Sequence, residues 1–498
     1  MRAALCAASL LIALAAAACS NTDAAPADVP PAKSAQSKNA PPVTLNIVAD
    51  KKTVGSDVRF SASGLPVGVI ELVWQTVSGG WVVEDYYHFK GKHYSESKLS
   101  LGRFSVGNDG HLEGRFTIPE DYGGVHDVIA VADGRPVAQG GIEVTQSFEM
   151  SPAAGPIGTP IEIRVKGLGW RTMESTWVVN WDNHLVGFVS AAGTKGTAVA
   201  RFRASGPSGS HVIKMLTGWQ AKGYLNYEQS PVAHLPRPEF TFYTEVRGPD
   251  KVRATVTGGG SPAYSDPYPK QPVPATEVKV ANANLILSPT QGPVNTKATL
   301  RGNGFPAGKT LQLVWETYVG SRVSGNGFAS QEKPLDTVKV SADGRIDYAF
   351  ATPEDLGGLH ALMLRDGNTM LARTYFVTQT SIVSISQTSG PVGTPISIHL
   401  KGVGWTEYDN IYVVTYDNAY MGYVCGFNSQ GDVVINFTAG GAPGEHIIDL
   451  YPGIYQGPPT EPQLLYLTPQ LTYADDHPGN KIPALHFSFT VTAGTGTK

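Results

Sequence analysis

The sequence predicts an all-β chain of four tandem immunoglobulin-like β-sandwich domains, arranged as a duplicated pair of unlike units. Apolar and polar residues alternate with a period of two in four segments, as at Ile161, Ile163 and Val165, which buries one face of a strand. The 56 glycines and 36 prolines are scattered along the chain, as expected for short strands joined by many turns. Long matching segments recur, which indicates that whole domains were duplicated.

Residues 1–19 are predicted to form an export signal. Arg2 supplies a positive start, an apolar run follows, and Ala-Ala-Ala-Cys19 closes the segment. The run is short for a membrane-spanning helix, so we expect it to be removed. A Cys after small residues resembles the bacterial lipobox, and this resemblance implies that Cys19 is lipidated and begins the mature chain. The alternative is an ordinary signal peptide with a Cys there by chance.

Residues 20–42 are predicted to be a disordered tether, because Ala, Pro, Ser and Asn dominate and large apolar residues are scarce. Ser20 after the Cys resembles lipoproteins sent to the outer membrane, which implies an exported, lipid-anchored protein of the bacterial cell envelope. No later apolar run reaches the roughly 20 residues of a spanning helix, so we expect membrane contact through the N-terminal lipid only.

Charge and cysteine content bear on nucleic-acid binding and on disulfide bonds. A formal net charge of −4 gives no basic character, so no nucleic-acid partner is expected. Once Cys6 leaves with the signal and Cys19 carries lipid, Cys425 is the remaining cysteine, which excludes an intrachain disulfide in the mature chain. We expect Cys425 to be a buried, reduced thiol, with a reactive thiol as the alternative.

Four units follow the tether, each near the size of an immunoglobulin-like sandwich. Their order alternates, and we name them A1 (43–146), B1 (147–247), A2 (284–379) and B2 (380–493). Within each pair the units join with almost no spacer, which predicts stiff A–B junctions. Residues 248–283 contain Gly258-Gly-Gly260 and several prolines, which predict an extended linker that gives two A–B arms their reach.

Motifs at the start of three units resemble a known domain. The segment 288–305, which begins Ser288-Pro-Thr-Gln-Gly-Pro, resembles the opening of an IPT/TIG domain, an early-set immunoglobulin-like fold. The segments 151–170 and 388–405 are similar, whereas A1 lacks a Gly-Pro before its first strand. The resemblance implies a binding or spacer module, with no catalytic residue to carry over.

One polar motif, Pro-Glu-Asp-x-Gly-Gly-x-His, occurs in both A units. Its side chains could supply oxygen and nitrogen ligands to a metal ion. The other interpretation is a turn followed by a strand that opens with a hydrogen-bonding His, and His211 and His446 in the B units favour it because no Glu-Asp pair precedes them. We therefore expect neither a metal nor a cofactor. The residues concerned are Glu120, Asp121, His126, Glu354, Asp355 and His360.

Aromatic residues collect in three segments that are predicted to be loops: 81–94, 219–238 and 451–483. Such residues can stack on sugar rings or anchor a protein interface. Alternatively, they pack over a neighbouring unit and cover an A–B junction, and the sequence does not choose between the two. The candidate partner-binding residues are Trp81, Tyr86, Tyr87, Phe89, Tyr94, Trp219, Tyr224, Tyr455 and Tyr466.

The sequence thus predicts a lipid-anchored cell-envelope binding or structural protein whose partner is a polysaccharide or a protein. Neither a nucleophile elbow nor a His-Glu-x-x-His motif is present, so we expect no enzyme. Two alternatives stay open. One is a pure spacer or scaffold without a ligand, and the other is an envelope polysaccharide hydrolase that uses an inter-domain cleft.

Overall fold

The computed structural model describes residues 43–84, 88–171, 174–219, 221–223, 225, 240–248, 262–321, 327–426, 429–454, 467–479 and 481–493. These residues form strands, turns and bends and contain no helix, so the all-β prediction is confirmed. It follows that no helix in the described part of the chain is long and apolar enough to cross a membrane.

Unit A1 is a sandwich of a three-stranded sheet, in the order β2-β3-β6, and a five-stranded sheet, in the order β1-β8-β7-β4-β5. The alternation at Val58, Phe60 and Ala62 places all three side chains in the core between the sheets. Its strands are β1 (Val43–Thr44), β2 (Asn46–Val48), β3 (Asp57–Ala62), β4 (Gly68–Glu84), β5 (His88–Val106), β6 (Leu112–Thr117), β7 (Gly124–Ala132) and β8 (Arg135–Val144).

Unit B1 pairs a three-stranded sheet, β14-β11-β9, with a six-stranded sheet in which β10-β17-β15-β12-β13 form the path and β16 adds to β15. Its strands are β9 (Ser147–Ser151), β10 (Ala154–Pro156), β11 (Pro160–Lys166), β12 (Thr176–Trp181), β13 (His184–Ser190), β14 (Ala198–Arg203), β15 (Gly209–Trp219), β16 (Lys222–Gly223) and β17 (Phe240–Arg247).

The predicted linker contributes two strands, β18 (Ala263–Ser265) and β19 (Glu277–Val278). Strand β18 pairs with the last strand of B2, and β19 pairs with the last strand of A2. The described part of this segment is therefore built into two sheets. The prediction of an extended linker does not hold for residues 263–265 and 277–278, because their backbones pair with sheet strands.

Unit A2 repeats the A1 plan, with sheets β20-β22-β25 and β19-β27-β26-β23-β24, and β21 pairs with β27. Its strands are β20 (Asn284–Ser288), β21 (Gln291–Pro293), β22 (Lys297–Asn303), β23 (Thr310–Ser321), β24 (Gly327–Lys339), β25 (Ile346–Ala351), β26 (Gly358–Asp366) and β27 (Thr369–Gln379).

Unit B2 repeats the B1 plan, with sheets β28-β30-β33 and β18-β35-β34-β31-β32, and β29 pairs with β35. Its strands are β28 (Ser381–Ile385), β29 (Ser389–Gly390), β30 (Pro395–Lys401), β31 (Ile411–Tyr416), β32 (Ala419–Cys425), β33 (Val433–Thr438), β34 (Gly444–Pro452) and β35 (Leu485–Val491). The four sandwiches thus form a duplicated A–B pair.

The Asp-Asn pairs of the B units form tight turns between two strands. Asp182 and Asn183 have φ of 47° and 68°, and Asp417 and Asn418 have φ of 48° and 62°. Positive φ at both central residues is the geometry of a two-residue hairpin turn whose twist matches its strands. The strand that follows each turn, β13 in B1 and β32 in B2, is the last strand in the order of its sheet.

The core of B1 contains residues from B2. Tyr451, Leu471, Tyr473 and Ala484 of B2 pack into the apolar cluster that fills B1. Two units that are separated along the chain by the whole of A2 therefore share buried side chains. Independent movement of the two A–B arms is inconsistent with this packing, because separating them would expose that shared core.

Candidate functional site at the junctions between the sandwiches

The Pro-Glu-Asp motif of A1 lies at the A1–B1 junction. Trp74 Nε1 donates a 3.0 Å hydrogen bond to Asp121, and His126 stacks on Trp74 with ring centroids 4.3 Å apart. The His126 ring nitrogens lie 2.9 Å from the backbone carbonyls of Gln75 and Tyr122. Burial lowers the pKa of His126, and the hydrogen bonds oppose that shift only in part. The side chain therefore ties two backbone segments together.

The A2 copy repeats this geometry. Trp315 Nε1 donates to Asp355 at 2.9 Å, and His360 stacks on Trp315 at 4.7 Å. Burial opposes ionisation of Asp355. Attraction to His360 and hydrogen bonds from Gln430 and Thr317 outweigh it, so the pKa of Asp355 lies below its usual value.

The motif carboxylates do not converge on a common point. Glu120 is exposed and lies 3.4 Å from Lys166, while Asp121 points inward. Glu354 likewise pairs with Lys401 on the surface. The part of the chain that the structure describes contains no group of three His, Cys, Asp or Glu side chains placed to hold a metal ion. Each motif Asp and His instead contacts residues of its own A unit, and Asp355 also accepts a hydrogen bond from Gln430 of B2.

The repeated motifs of the A and B units meet each other. Gly123 N–H donates to Leu168 O at 3.1 Å, and Gly357 N–H donates to Val403 O at 3.0 Å. A Cβ on Gly123 would lie 1.8 Å from Gly167 O, so this approach requires glycine. Backbones that hydrogen-bond this closely explain why the junction residues recur in both pairs.

The predicted aromatic loop 81–94 is the end of a long hairpin formed by β4 and β5. Phe89 is 1% exposed and lies in a cluster drawn from three units, which we name the three-unit cluster. This cluster consists of Phe89, Val178, Phe188, Leu216, Ala221, Tyr408 and Ile454, with Trp81, Val83 and Leu185 packed against it.

Contacts with B2 fix the hairpin. Phe89 N–H donates to Glu407 at 2.8 Å, and Trp81 Nε1 donates to Asp476 O at 3.1 Å. Tyr94 is half-buried, with its ring 5.5 Å from that of Tyr122. Partner binding by Phe89 is therefore contradicted, because its ring is covered by B1 and B2. Of the two interpretations, packing over a junction describes Trp81, Phe89 and Tyr94.

Beside Trp81 is a cleft of about 400 Å³ between the A1 hairpin and residues 475–481 of B2. Buried Asp476 accepts hydrogen bonds from Ala192 N–H at 2.8 Å and Gly193 N–H at 2.6 Å, and burial raises its pKa. His477 is also buried, and its Nε2 lies 2.5 Å from Tyr408 O. Burial lowers the pKa of His477 to about 4, so the ring is neutral near pH 7.

The remaining charges at the cleft are also paired. Asp475 bonds to Arg201 at 3.0 Å, and Lys481 donates to the carbonyls of Ala474 and Asp475. Lys92 donates to Ser175 and Thr176 of B1, and burial lowers its pKa to about 8 against the attraction of Asp476. Both cleft carboxylates therefore bond to groups of B1 and connect B2 to it.

A second joint lies deeper between B1 and B2. Arg203 of B1 is 5% exposed, and its Nη2 lies 2.6 Å from Asp449 of B2, which is fully buried. His486 Nδ1 lies 2.7 Å from the same carboxylate, and His486 Nε2 lies 3.2 Å from Asp266 in the predicted linker. Burial opposes ionisation of Asp449, but Arg203 and His486 outweigh it and hold its pKa below the usual value.

The other predicted site residues fall as follows. Trp219 ends β15, and its side chain lies outside the described residues. Cys425, predicted to be buried, is only partly buried in strand β32 and belongs to no disulfide. Cys19, Tyr86, Tyr87, Tyr224, Tyr455 and Tyr466 lie outside the described residues.

Comparison with known proteins gives structural similarity alone. No family model and no curated protein sequence matches the chain. FdeC, an adhesin of Escherichia coli, is 13% identical with a TM-score of 0.16, and the match covers 68% of this chain and 98% of FdeC. Invasin, a bacterial integrin-binding protein, is 10% identical with a TM-score of 0.18. The match covers 90% of this chain and 79% of the invasin chain.

Alpha-2-macroglobulin of Salmonella is 9% identical with a TM-score of 0.17, and the match spans 91% of this chain but only 31% of that protein. TM-scores of this size identify neither a common arrangement of domains nor a common function.

Sequence reasoning missed the polar joint formed by Arg203, Asp449, His486 and Asp266. These residues come from B1, B2 and the predicted linker, so no local spacing connects them. None of the four lies in the aromatic segments 81–94, 219–238 or 451–483, so the sequence offered no signal for this joint.

Proposed function

We propose that this chain is an exported, lipid-anchored protein of the bacterial cell envelope that binds a macromolecular partner as a rigid body and catalyses no reaction. The sandwiches B1, A2 and B2 are of the IPT/TIG type in this proposal, on the motifs at 151–170, 288–305 and 388–405. The partner is a protein or a polysaccharide of the envelope, and the lipid on Cys19 provides the membrane contact.

The packing of B2 residues into the B1 core is the observation that carries the proposal. A shared core and a buried ion pair hold surfaces of different units in a fixed relation, which is what recognition of a large partner uses. The cleft beside Trp81 has its carboxylates committed to structural contacts, which favours binding over hydrolysis.

Co-sedimentation of the purified mature chain with envelope fractions tests the binding function. We expect saturable binding to either the polysaccharide or the outer-membrane protein fraction. Absence of binding to both fractions would leave the spacer or scaffold function, and release of soluble saccharide from the polysaccharide fraction would establish the hydrolase instead.

Fractionation of cells that express Cys19→Ser tests the anchor separately. We expect this variant to leave the membrane fraction, because it lacks the residue that carries the lipid. Retention of the variant in membranes would contradict lipid anchoring while leaving the binding function open to its own measurement.

A further inference from the structure

Strands β13 of B1 and β32 of B2 occupy equivalent edge positions in the two copies. Each follows an Asp-Asn turn and pairs antiparallel with the preceding strand. Each pairing also contains a β-bulge at the same place, between Val179 and Asn180 in B1 and between Val414 and Thr415 in B2. Phe188 in β13 therefore corresponds to Tyr423 in β32, and Gly187 corresponds to Gly422.

The outer edge of β13 is covered by an extended segment of B2. Phe188 N–H donates to Pro469 O at 2.8 Å, and Leu471 N–H donates to Phe188 O at 2.9 Å. Gln470 forms a parallel bridge with Phe188. The segment thus adds to the sheet as a short parallel strand, and Phe188 is fully buried.

The corresponding place on β32 is more exposed, although β32 lies beside β13 of B1. Tyr423 is 45% exposed and Met421 is 46% exposed, whereas their equivalents Phe188 and Val186 are 0% exposed. Among the described residues, no strand or loop forms a backbone hydrogen bond with this edge.

The space around Gly187 and Gly422 differs in the same way. A Cβ on Gly187 would lie 2.4 Å from Pro469 O, whereas a Cβ on Gly422 would meet nothing within 4 Å. The space that Pro469 fills beside Gly187 is thus empty around Gly422. An edge strand with unpaired backbone groups and exposed aromatic side chains is a template for an added strand.

We propose that β32 binds an extended polypeptide segment of a partner protein, which adds parallel to the strand at Gly422 and Tyr423. The occupied edge of B1 supplies the pattern: a proline, a polar residue and an apolar residue, as in Pro469-Gln470-Leu471. The apolar side chain at Leu471 enters the sandwich core, and the backbone at Tyr423 would supply the two ladder hydrogen bonds. This inference deepens the proposed function and rests on it.

A fluorescent peptide with the sequence of residues 467–476 is the probe, titrated into the purified mature chain. The chain's own segment already occupies β13 and competes there at a high effective concentration because it is covalently linked. We therefore expect the free peptide to bind at β32. We expect saturable binding with slowed hydrogen exchange across 419–425. Failure of the peptide to bind, or protection at 184–190 instead, would overturn the inference.

Two substitutions block the edge by different means. Gly422→Val places a side chain where the proline would lie, and Tyr423→Pro removes the outward N–H at an edge position that tolerates proline. Each should weaken peptide binding at least about tenfold. Val434→Thr, an exposed position on the other sheet of B2, is the matched control and should bind as the unmodified chain does. Equal binding by all variants would refute the site.

The peptide and envelope measurements separate the two proposals. Envelope binding without peptide binding would remove only the edge-strand site. Peptide binding without envelope binding would leave the edge intact and contradict the proposed function.

Discussion

Removing Arg203 should open the joint between B1 and B2. The guanidinium donates from Nε to Asp449 at 2.8 Å and from Nη2 to Phe487 O at 2.9 Å. In Arg203→Ala the buried Asp449 carboxylate keeps the imidazole of His486, whose Nδ1 lies 2.7 Å away. Loss of one partner from a buried ion pair destabilises a fold by about 3–5 kcal/mol. Because His486 remains, we expect a loss at the lower end of that range.

Hydrogen exchange is the suitable assay, since a chain of four sandwiches is not expected to unfold in a single two-state step. Amides in the B2 segment that crosses onto B1, such as Leu471 N–H bonded to Phe188 O at 2.9 Å, report opening of the joint. A loss of about 3 kcal/mol corresponds to exchange faster by about a hundredfold.

Arg345→Ala is the matched control. Arg345 pairs with Asp343 at 3.0 Å, but both side chains are more than half exposed, so its removal should change stability by less than about 1 kcal/mol. The reasoning would be refuted if Arg203→Ala exchanged at the rate of the control, because the buried pair would then contribute nothing to holding B1 and B2 together.

Three further predictions concern the other contacts of these units. Burial lowers the pKa of His477 to about 4, so the folded chain is more stable above pH 6.5 and loses this stability as the pH falls toward 4. Urea unfolding should show a pH-dependent loss of up to about 3 kcal/mol in the free energy of unfolding. The loss should be smaller in His477→Asn. Gly187→Ala should destabilise by about 1–3 kcal/mol because its Cβ would press on Pro469 O, whereas Gly422→Ala should be neutral or stabilising, as thermal melting would reveal; equal effects would contradict the difference between the edges. Phe89→Ala should cost about 3–5 kcal/mol in the same melting assay, and Tyr243→Ala, at an exposed position, should change little; a silent Phe89→Ala would remove the three-unit cluster as a stabilising contact.

Local features of the fold were predictable because their causes are local. Alternation at Ile161, Ile163 and Val165 sets which face of β11 is buried, and all three side chains are in the B1 core. The Asp-Asn turns follow from the tolerance of those two residues for positive φ. The hydrogen-bonding role of His126 was also accessible, because the B units repeat the His without the acidic pair.

Contacts between distant units were not predictable from one sequence. Tyr451 and Leu471 are apolar residues in a long insert, and nothing in their spacing distinguishes packing against B1 from packing against B2. The aromatic segment 81–94 posed the same problem, since Phe89 would satisfy either a partner or a neighbouring unit. Pairing over such separations depends on how the sandwiches dock, which local propensity does not encode.

Residues that are the same in both A–B pairs and residues that differ between the pairs have different physical roles. Gly123 and Gly357 recur because each must let an A-unit backbone reach a B-unit carbonyl, and both pairs of units contain that junction. Phe188 and Tyr423 differ although their strands are equivalent, because a segment of B2 covers the first and solvent reaches the second. A phenol in place of a phenyl ring suits a side chain that keeps one end in water and offers an apolar face. The difference in exposure at these two positions thus supports the edge-strand site proposed on β32.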